Sequence, residues 1–154
     1  MLLRLSKKEL SAIEAVLDIA LNGGGGLVQS SDITERLDIP PRYLEPILQR
    51  LGRADLLVGI RGPSGGYRLA RERRRITLGD LVDAIRAGDD NDEPATDPPR
   101  NALSNAGQAL ATTLGDLDRE IHVRLQAVTI EDLCWRSGQE ATNTPRRAGT
   151  DFAI

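Results

Sequence analysis

Arg61-Gly62-Pro63-Ser64-Gly65-Gly66-Tyr67-Arg68-Leu69-Ala70 is the stretch from which the fold of this chain follows. Its first half is dense in turn formers, glycine for backbone freedom and proline for a preset φ. Gly62-Pro63-Ser64-Gly65-Gly66 separates two runs, Asp55-Leu56-Leu57-Val58-Gly59-Ile60-Arg61 and Tyr67-Arg68-Leu69-Ala70. These are expected to be the strands of a β-hairpin.

Two short helical patterns come just before the hairpin. In Leu27 to Leu37, Ser31 or Asp32 is the expected cap, with Glu35 completing a capping box in the second case. Ile33 and Leu37 face the core together, and Asp38-Ile39-Pro40 breaks the helix. The next helix opens at Pro41-Arg42-Tyr43-Leu44-Glu45 and runs to about Ala54, with Leu44, Ile47, Leu48 and Leu51 as its buried stripe. Pro46 lacks an N–H and fits only the first turn of a helix, so regular helix is expected from near Arg42. Two short helices across a tight turn suggest a helix-turn-helix. With a β-hairpin directly behind, they form a winged helix. In that architecture the second helix enters the major groove of DNA and the hairpin reaches phosphates or the minor groove.

Further out, Ser6-Lys7-Lys8-Glu9 has the form of a capping box. Leu10, Ile13, Val16, Leu17, Ala20 and Leu21 then recur at helical spacing, giving a helix from about 6 to 22. Asn22 and Gly23 to Gly26 end it through left-handed cap geometry. The four glycines have no preceding strand and no following Lys-Ser/Thr, so they form a turn rather than a phosphate loop. Beyond the hairpin lies the basic cluster Arg71-Glu72-Arg73-Arg74-Arg75. Thr77-Leu78-Gly79-Asp80 caps a helix whose apolar face is Leu78, Leu81, Val82 and Ile85, ending at Ala87-Gly88. Residues 88–101 are acidic and proline-rich, a loop.

A long helix follows from about 103 to 127. Leu110, Leu114, Leu117, Ile121, Leu125 and Val128 form a narrow seam of heptad type. At 1.5 Å per residue the helix is roughly 37 Å long, more than a small winged domain covers. Its expected contact is a second copy of the chain; the alternative is its own domain. Thr129-Ile130-Glu131-Asp132 caps a last short turn carrying Leu133, Cys134 and Trp135, before a polar tail. The expected fold class is therefore mainly α (α+β). A winged helix-turn-helix spans 1–87, the loop 88–101, the dimerisation helix and terminal turn 102–135, and an unstructured tail 136–154.

The 154 residues suit one domain, or one small domain plus an element packing on a partner. An apolar share of 40% against 28% charged allows a core and argues against wholesale disorder. No apolar run approaches the roughly 18 residues of a membrane span, and Met1 to Glu9 has no signal-type apolar segment. The expected compartment is the cytoplasm. A single cysteine, Cys134, excludes an internal disulfide and any zinc site needing two cysteines from one chain. His122 is the only histidine, about 18 Å from Cys134 along a helix, too far for a nucleophile and its base. With no carboxylate pair, nucleophile and base, or phosphate loop at working spacing, the chain is not expected to be an enzyme. Asp89-Asp90-Asn91-Asp92-Glu93 lacks calcium-loop spacing.

The net charge of −3 conceals an asymmetry. Residues 36–75 hold ten arginines and four acids, whereas 88–154 hold six basic and twelve acidic residues. Arginine suits bidentate contact with phosphate and guanine edges; the alternative is a solvated charged face.

From about 28 to 85 the sequence resembles the Rrf-two superfamily of bacterial winged-helix regulators (the IscR, NsrR and CymR type). The resemblance rests on Asp32-Ile33, Tyr43-Leu44-Glu45, Leu48, Leu51 and above all Arg61 to Ala70. The order of helices extends it to about 1–135. It implies a homodimer that binds a partly palindromic double-stranded operator and represses. On that basis Tyr43 and Glu45 lie near base edges, Arg61 enters the minor groove, and Ser64, Gly65 and Gly66 form the wing tip against phosphate. Arg42 stands where relatives often have a small polar residue, so its base preference does not carry over.

The residues themselves add further expectations. Arg42 and Arg50 project from the recognition helix toward DNA, Lys7 and Lys8 meet phosphates, and Tyr67 packs the wing on the core. Leu110, Leu114, Leu117, Ile121 and Leu125 form the dimer interface. Cluster-binding relatives carry three cysteines in the segment matching 88–101, which has none here. One relative type adds Glu and His from the first helix; here Glu9 is followed by Ile13. Clusters need several ligands, so the resemblance points to the cluster-free branch, with no cofactor and a protein, small-molecule or thiol effector. Cys134 is the candidate thiol sensor, or a small apolar residue packed beside Leu133 and Trp135. The alternative function is a protein- or effector-binding module on the same fold, with DNA binding lost or secondary; Pro46 and the acidic half favour it.

Overall fold

A computed structural model describes residues 5–88 and 104–143. Helix α1 spans Lys7–Asn22. Its capping box is formed: the Ser6 hydroxyl accepts from the Glu9 N–H at 3.2 Å, and the Glu9 carboxylate accepts from the Ser6 N–H at 2.6 Å. The inward face is Ala12, Ile13, Ala15, Val16, Ile19 and Ala20. Leu10 and Leu21, expected inside, are 47% and 48% exposed. The stripe is rotated because small residues face inward, and they let α1 sit close to four other helices. The Gly23 cap is right-handed, and the positive φ expected there falls on Gly24 and Gly25 instead.

Helix α2, Ser30–Leu37, starts before the expected caps, with Gln29 at the N-cap and no side-chain cap bond. Asp38 takes the left-handed conformation and turns the chain into α3, Pro41–Arg53. Pro46 lies inside α3 rather than in its first turn. It is exposed, so water can serve the Arg42 carbonyl that loses its helical donor.

Strand β1, Leu57–Ile60, pairs antiparallel with β2, Gly66–Leu69, with Leu57 opposite Leu69 and Ile60 opposite Gly66. Val28 and Tyr67 exchange two backbone hydrogen bonds of 2.8 Å, which tie the hairpin to the α1–α2 connection. A 3₁₀ turn at Arg73–Arg75 leads to α4, Leu78–Arg86, which opens with the expected Thr77/Asp80 box. Helix α5 spans Asn105–Ala127 and α6 spans Ile130–Asn143. The expected short terminal turn is thus a full helix that takes in residues 136–143 of the expected tail. The loop 89–101 and the tail from 144 lie outside the described residues.

One core unites these elements. Ile33, Leu44, Ile47, Leu48, Leu51, Leu56, Leu57, Ile76, Leu81, Val82 and Ile85 are buried, and Ile130 and Cys134 of α6 join them. The junction is stitched by backbone bonds, Leu78 N–H to the Val128 carbonyl and Ile130 N–H to the Ile76 carbonyl, each 2.9 Å. Two ion pairs anchor helices to α1. Buried Asp18 accepts a bidentate pair from Arg36, both at 2.8 Å, fixing α2. Buried Glu9 accepts from Arg86 of α4 at 2.6 Å. Among the described residues no helix is long and apolar enough to cross a membrane.

Candidate nucleic-acid interface

The stripe Leu44, Ile47, Leu48 and Leu51 roots α3 in the core and leaves its opposite face in solvent. Arg42, Glu45, Gln49 and Arg53 are exposed, and their spacing of three and four residues sets them on that face. A groove runs between this face and the hairpin, bordered by Glu45, Gln49, Arg53, Arg61 and Tyr67. Sequence reasoning missed Gln49 and Arg53. Their four-residue steps from Glu45 were the signal that could have found them.

Arg61 is exposed where β1 ends, and Pro63 and Ser64 are exposed at the tip. The tip is tight. Gly65 donates its N–H to the Gly62 carbonyl at 2.9 Å, and a Cβ on Gly65 would run into the Ile60 carbonyl oxygen. Tyr67 is half-buried against the core. Burial, and then the Glu45 carboxylate, push its phenol up, while Arg61 pulls the other way. The Glu45 carboxylate of α3 and the Arg61 guanidinium of the hairpin thus act on the Tyr67 phenol with opposite sign.

The Lys7 ammonium lies 5.7 Å from the centroid of the Tyr43 ring, a cation–π contact joining the start of α1 to α3. Tyr43 is half-buried on the flank of α3, and Lys8 is also half-buried. Arg50 does not project toward the groove. Its guanidinium donates to the Ile85 carbonyl at 3.0 Å and to the Gly88 carbonyl at 2.8 Å. At about 100° per residue, position 50 lies roughly 80° round the helix from Arg42, on the side that faces α4.

The arginine surplus of residues 36–75 therefore has several uses. Arg36 and Arg50 are spent on internal contacts. Arg53 and Arg61 border the α3–hairpin groove, and Arg42 is exposed on the same face of α3. Arg68, Arg71, Arg73 and Arg74 border a second groove against Gly25 and Gly26, where Arg74 pairs with Glu72.

No residue of α5 is buried. Leu110, Leu114 and Leu117 are 60%, 36% and 40% exposed. Ile121 is half-buried, and Leu125 packs on the chain's own core. Only the first half of the expected seam is therefore open. Gln126 docks the second half, accepting from the Thr77 hydroxyl at 2.8 Å and donating to Asp83 at 3.3 Å. Cys134 is 8% exposed in the core, whereas a thiol sensor must meet its oxidant. Trp135 points away, 68% exposed.

The profile of the Rrf2 family, described as iron-dependent transcriptional regulator, matches residues 5–136. The HTH-type transcriptional regulator IscR of Pectobacterium atrosepticum is 32% identical over 150 residues, covering 97% of this chain and 88% of that protein. Among solved structures, T. potens IscR aligns with a TM-score of 0.69 at 28% identity over 92% of both chains. CymR, the global cysteine regulator of B. subtilis, aligns with a TM-score of 0.67 at 25% identity over 88% of this chain and 98% of its own.

Proposed function

The chain belongs to the Rrf2 (Rrf-two) family of transcriptional regulators, and we propose that it is a cytoplasmic homodimeric repressor that binds a partly palindromic duplex operator. One observation carries this reading: the exposed face of α3 and Arg61 of the wing border the same groove. In the proposed complex Arg42, Glu45, Gln49 and Arg53 face the major groove, with Tyr43 on the flank. Glutamate is suited to accept from cytosine, and arginine to donate to guanine or phosphate. Arg61 enters the minor groove, and Ser64, Gly65 and Gly66 bring the wing backbone to phosphate. Lys7, held over Tyr43, meets the phosphate backbone beside α3, as does Lys8. The open leucines of α5 join two copies. The family is one of regulators, not enzymes.

The family description names iron, and the donor set here does not fit a bound cluster. The sequence has one cysteine and one histidine. That cysteine is buried among aliphatic side chains, and His122 lies 3.7 Å from Asp83 on the surface. Among the described residues no three His, Cys, Asp or Glu side chains converge. We therefore propose that operator binding needs no metal. A chelator is expected to leave the affinity unchanged, and a loss on chelation that iron restores would refute this.

The deciding experiment is fluorescence anisotropy of the purified protein on its own promoter fragment against a scrambled duplex, at one fixed salt concentration because phosphate contacts make affinity salt-dependent. The expected preference is about 10³-fold or more. Arg61→Ala is expected to weaken operator binding by about 1–3 kcal/mol. Equal, weak binding to both duplexes would overturn the reading and favour a protein partner for the same surface.

A further inference from the structure

We infer that Arg50 is a positioning residue for operator recognition: it stands on the reading helix α3 but clamps the end of α4, and so sets how α3 presents its outer face. The inference rests on the DNA-binding reading above.

The last carbonyls of a helix have no partner within it. At the end of α4 the Arg50 guanidinium reaches two carbonyls: that of Ile85 in the last turn at 3.0 Å, which also accepts the Gly88 N–H at 3.3 Å, and that of Gly88 just past the helix at 2.8 Å. A cation at this end also complements the helix dipole. The basic residue in α4's own last turn is Arg86, and it is turned to Glu9 of α1 instead. The side-chain cation at the end of α4 thus comes from α3.

Gly88 fits this arrangement. A Cβ there would lie 2.7 Å from Nε and 2.8 Å from Cζ of Arg50, so a larger residue displaces the guanidinium. The aliphatic stripe of α3 fixes its depth in the core, but apolar contact is weakly directional. Two charge-assisted hydrogen bonds from one planar group are directional. They restrain rotation of α3 about its axis, the motion that would misplace Glu45 and Gln49, and a reading face tolerates only about 0.5 Å of error. Helix α4 also carries α5, through Thr77 and Asp83 to Gln126. The same helix therefore supports both the reading face and the helix proposed to join two copies.

Two variants test this, with affinity for operator and scrambled duplex measured by anisotropy across a salt series. Arg50→Gln removes the clamp. Gly88→Ala displaces it while leaving the composition and charge of α3 intact, and it serves alone should Arg50→Gln fail to fold. Both are expected to lose about tenfold on the operator, the scale of one charged hydrogen bond. Scrambled-duplex affinity and the salt slope should stay unchanged. A salt slope reduced by about one in Arg50→Gln alone would make Arg50 a phosphate contact and overturn the inference. So would equal losses on both duplexes, the mark of a merely destabilised protein, or unchanged operator affinity in both variants. If the wild-type protein shows no operator preference, the DNA-binding reading falls first and this inference with it.

Discussion

Replacing Leu114 and Leu117 together by glutamate is expected to leave the protein folded but monomeric, and to lower operator affinity by about 10²–10⁴-fold, the gain that linking two binding modules provides. These leucines are one helical turn apart and 36% and 40% exposed on a helix with no buried residue. Glutamate therefore costs the single chain little. Between two copies it sets like charges on an apolar seam. The attachment of α5 to its own domain lies further along, at Leu125 and Gln126, and is untouched. Sedimentation velocity reads the assembly state and anisotropy the affinity. A dimer that survives both charges, or a monomer with full operator affinity, would show that α5 is not the joining element.

Leu48→Ala is expected to cost about 2–5 kcal/mol of folding stability, a large share of the roughly 5–15 kcal/mol that holds a domain of this kind. Leu48 is fully buried, and its neighbours Ile33, Leu44, Ile47 and Leu51 come from two helices already fixed by other contacts. They cannot collapse into the space left behind. Gln49, next in sequence and exposed, is the control: Gln49→Ala should stay within about 0.5 kcal/mol. Urea unfolding followed by circular dichroism measures both. A loss below about 1 kcal/mol for Leu48→Ala would mean that α3 is held by something other than its aliphatic stripe.

The winged fold was legible because its signals are local. The wing turn, the Ser6 and Thr77 capping boxes and the aliphatic stripe of α3 each lie within a few residues of sequence, and the structure has each of them. What could not be read depends on distant partners. Periodicity places Leu10 and Leu21 in the α1 stripe, but the close approach of α3, α4 and α6 decides which flank is covered. Arg50 looks like another cation on a reading helix until α4 is folded beside it. Gln49 and Arg53 carry no motif, and only the placement of the hairpin turns their face into a groove wall. Residues 136–143 are polar enough to pass for a tail, yet the box at Thr129 and Asp132 starts a helix that continues through them.

The contribution of Ile130 and Cys134 to the winged core bears on how the protein is made. A chain emerging from the ribosome, at roughly 5–20 residues per second, exposes its hairpin and α3 early. The backbone bond that Ile76 accepts from Ile130 must wait for the whole of α5 to be synthesised. The winged core is thus completed only after the helix proposed to pair two copies is present. A nascent or prematurely terminated chain therefore lacks the finished core beneath the surface proposed to occupy an operator.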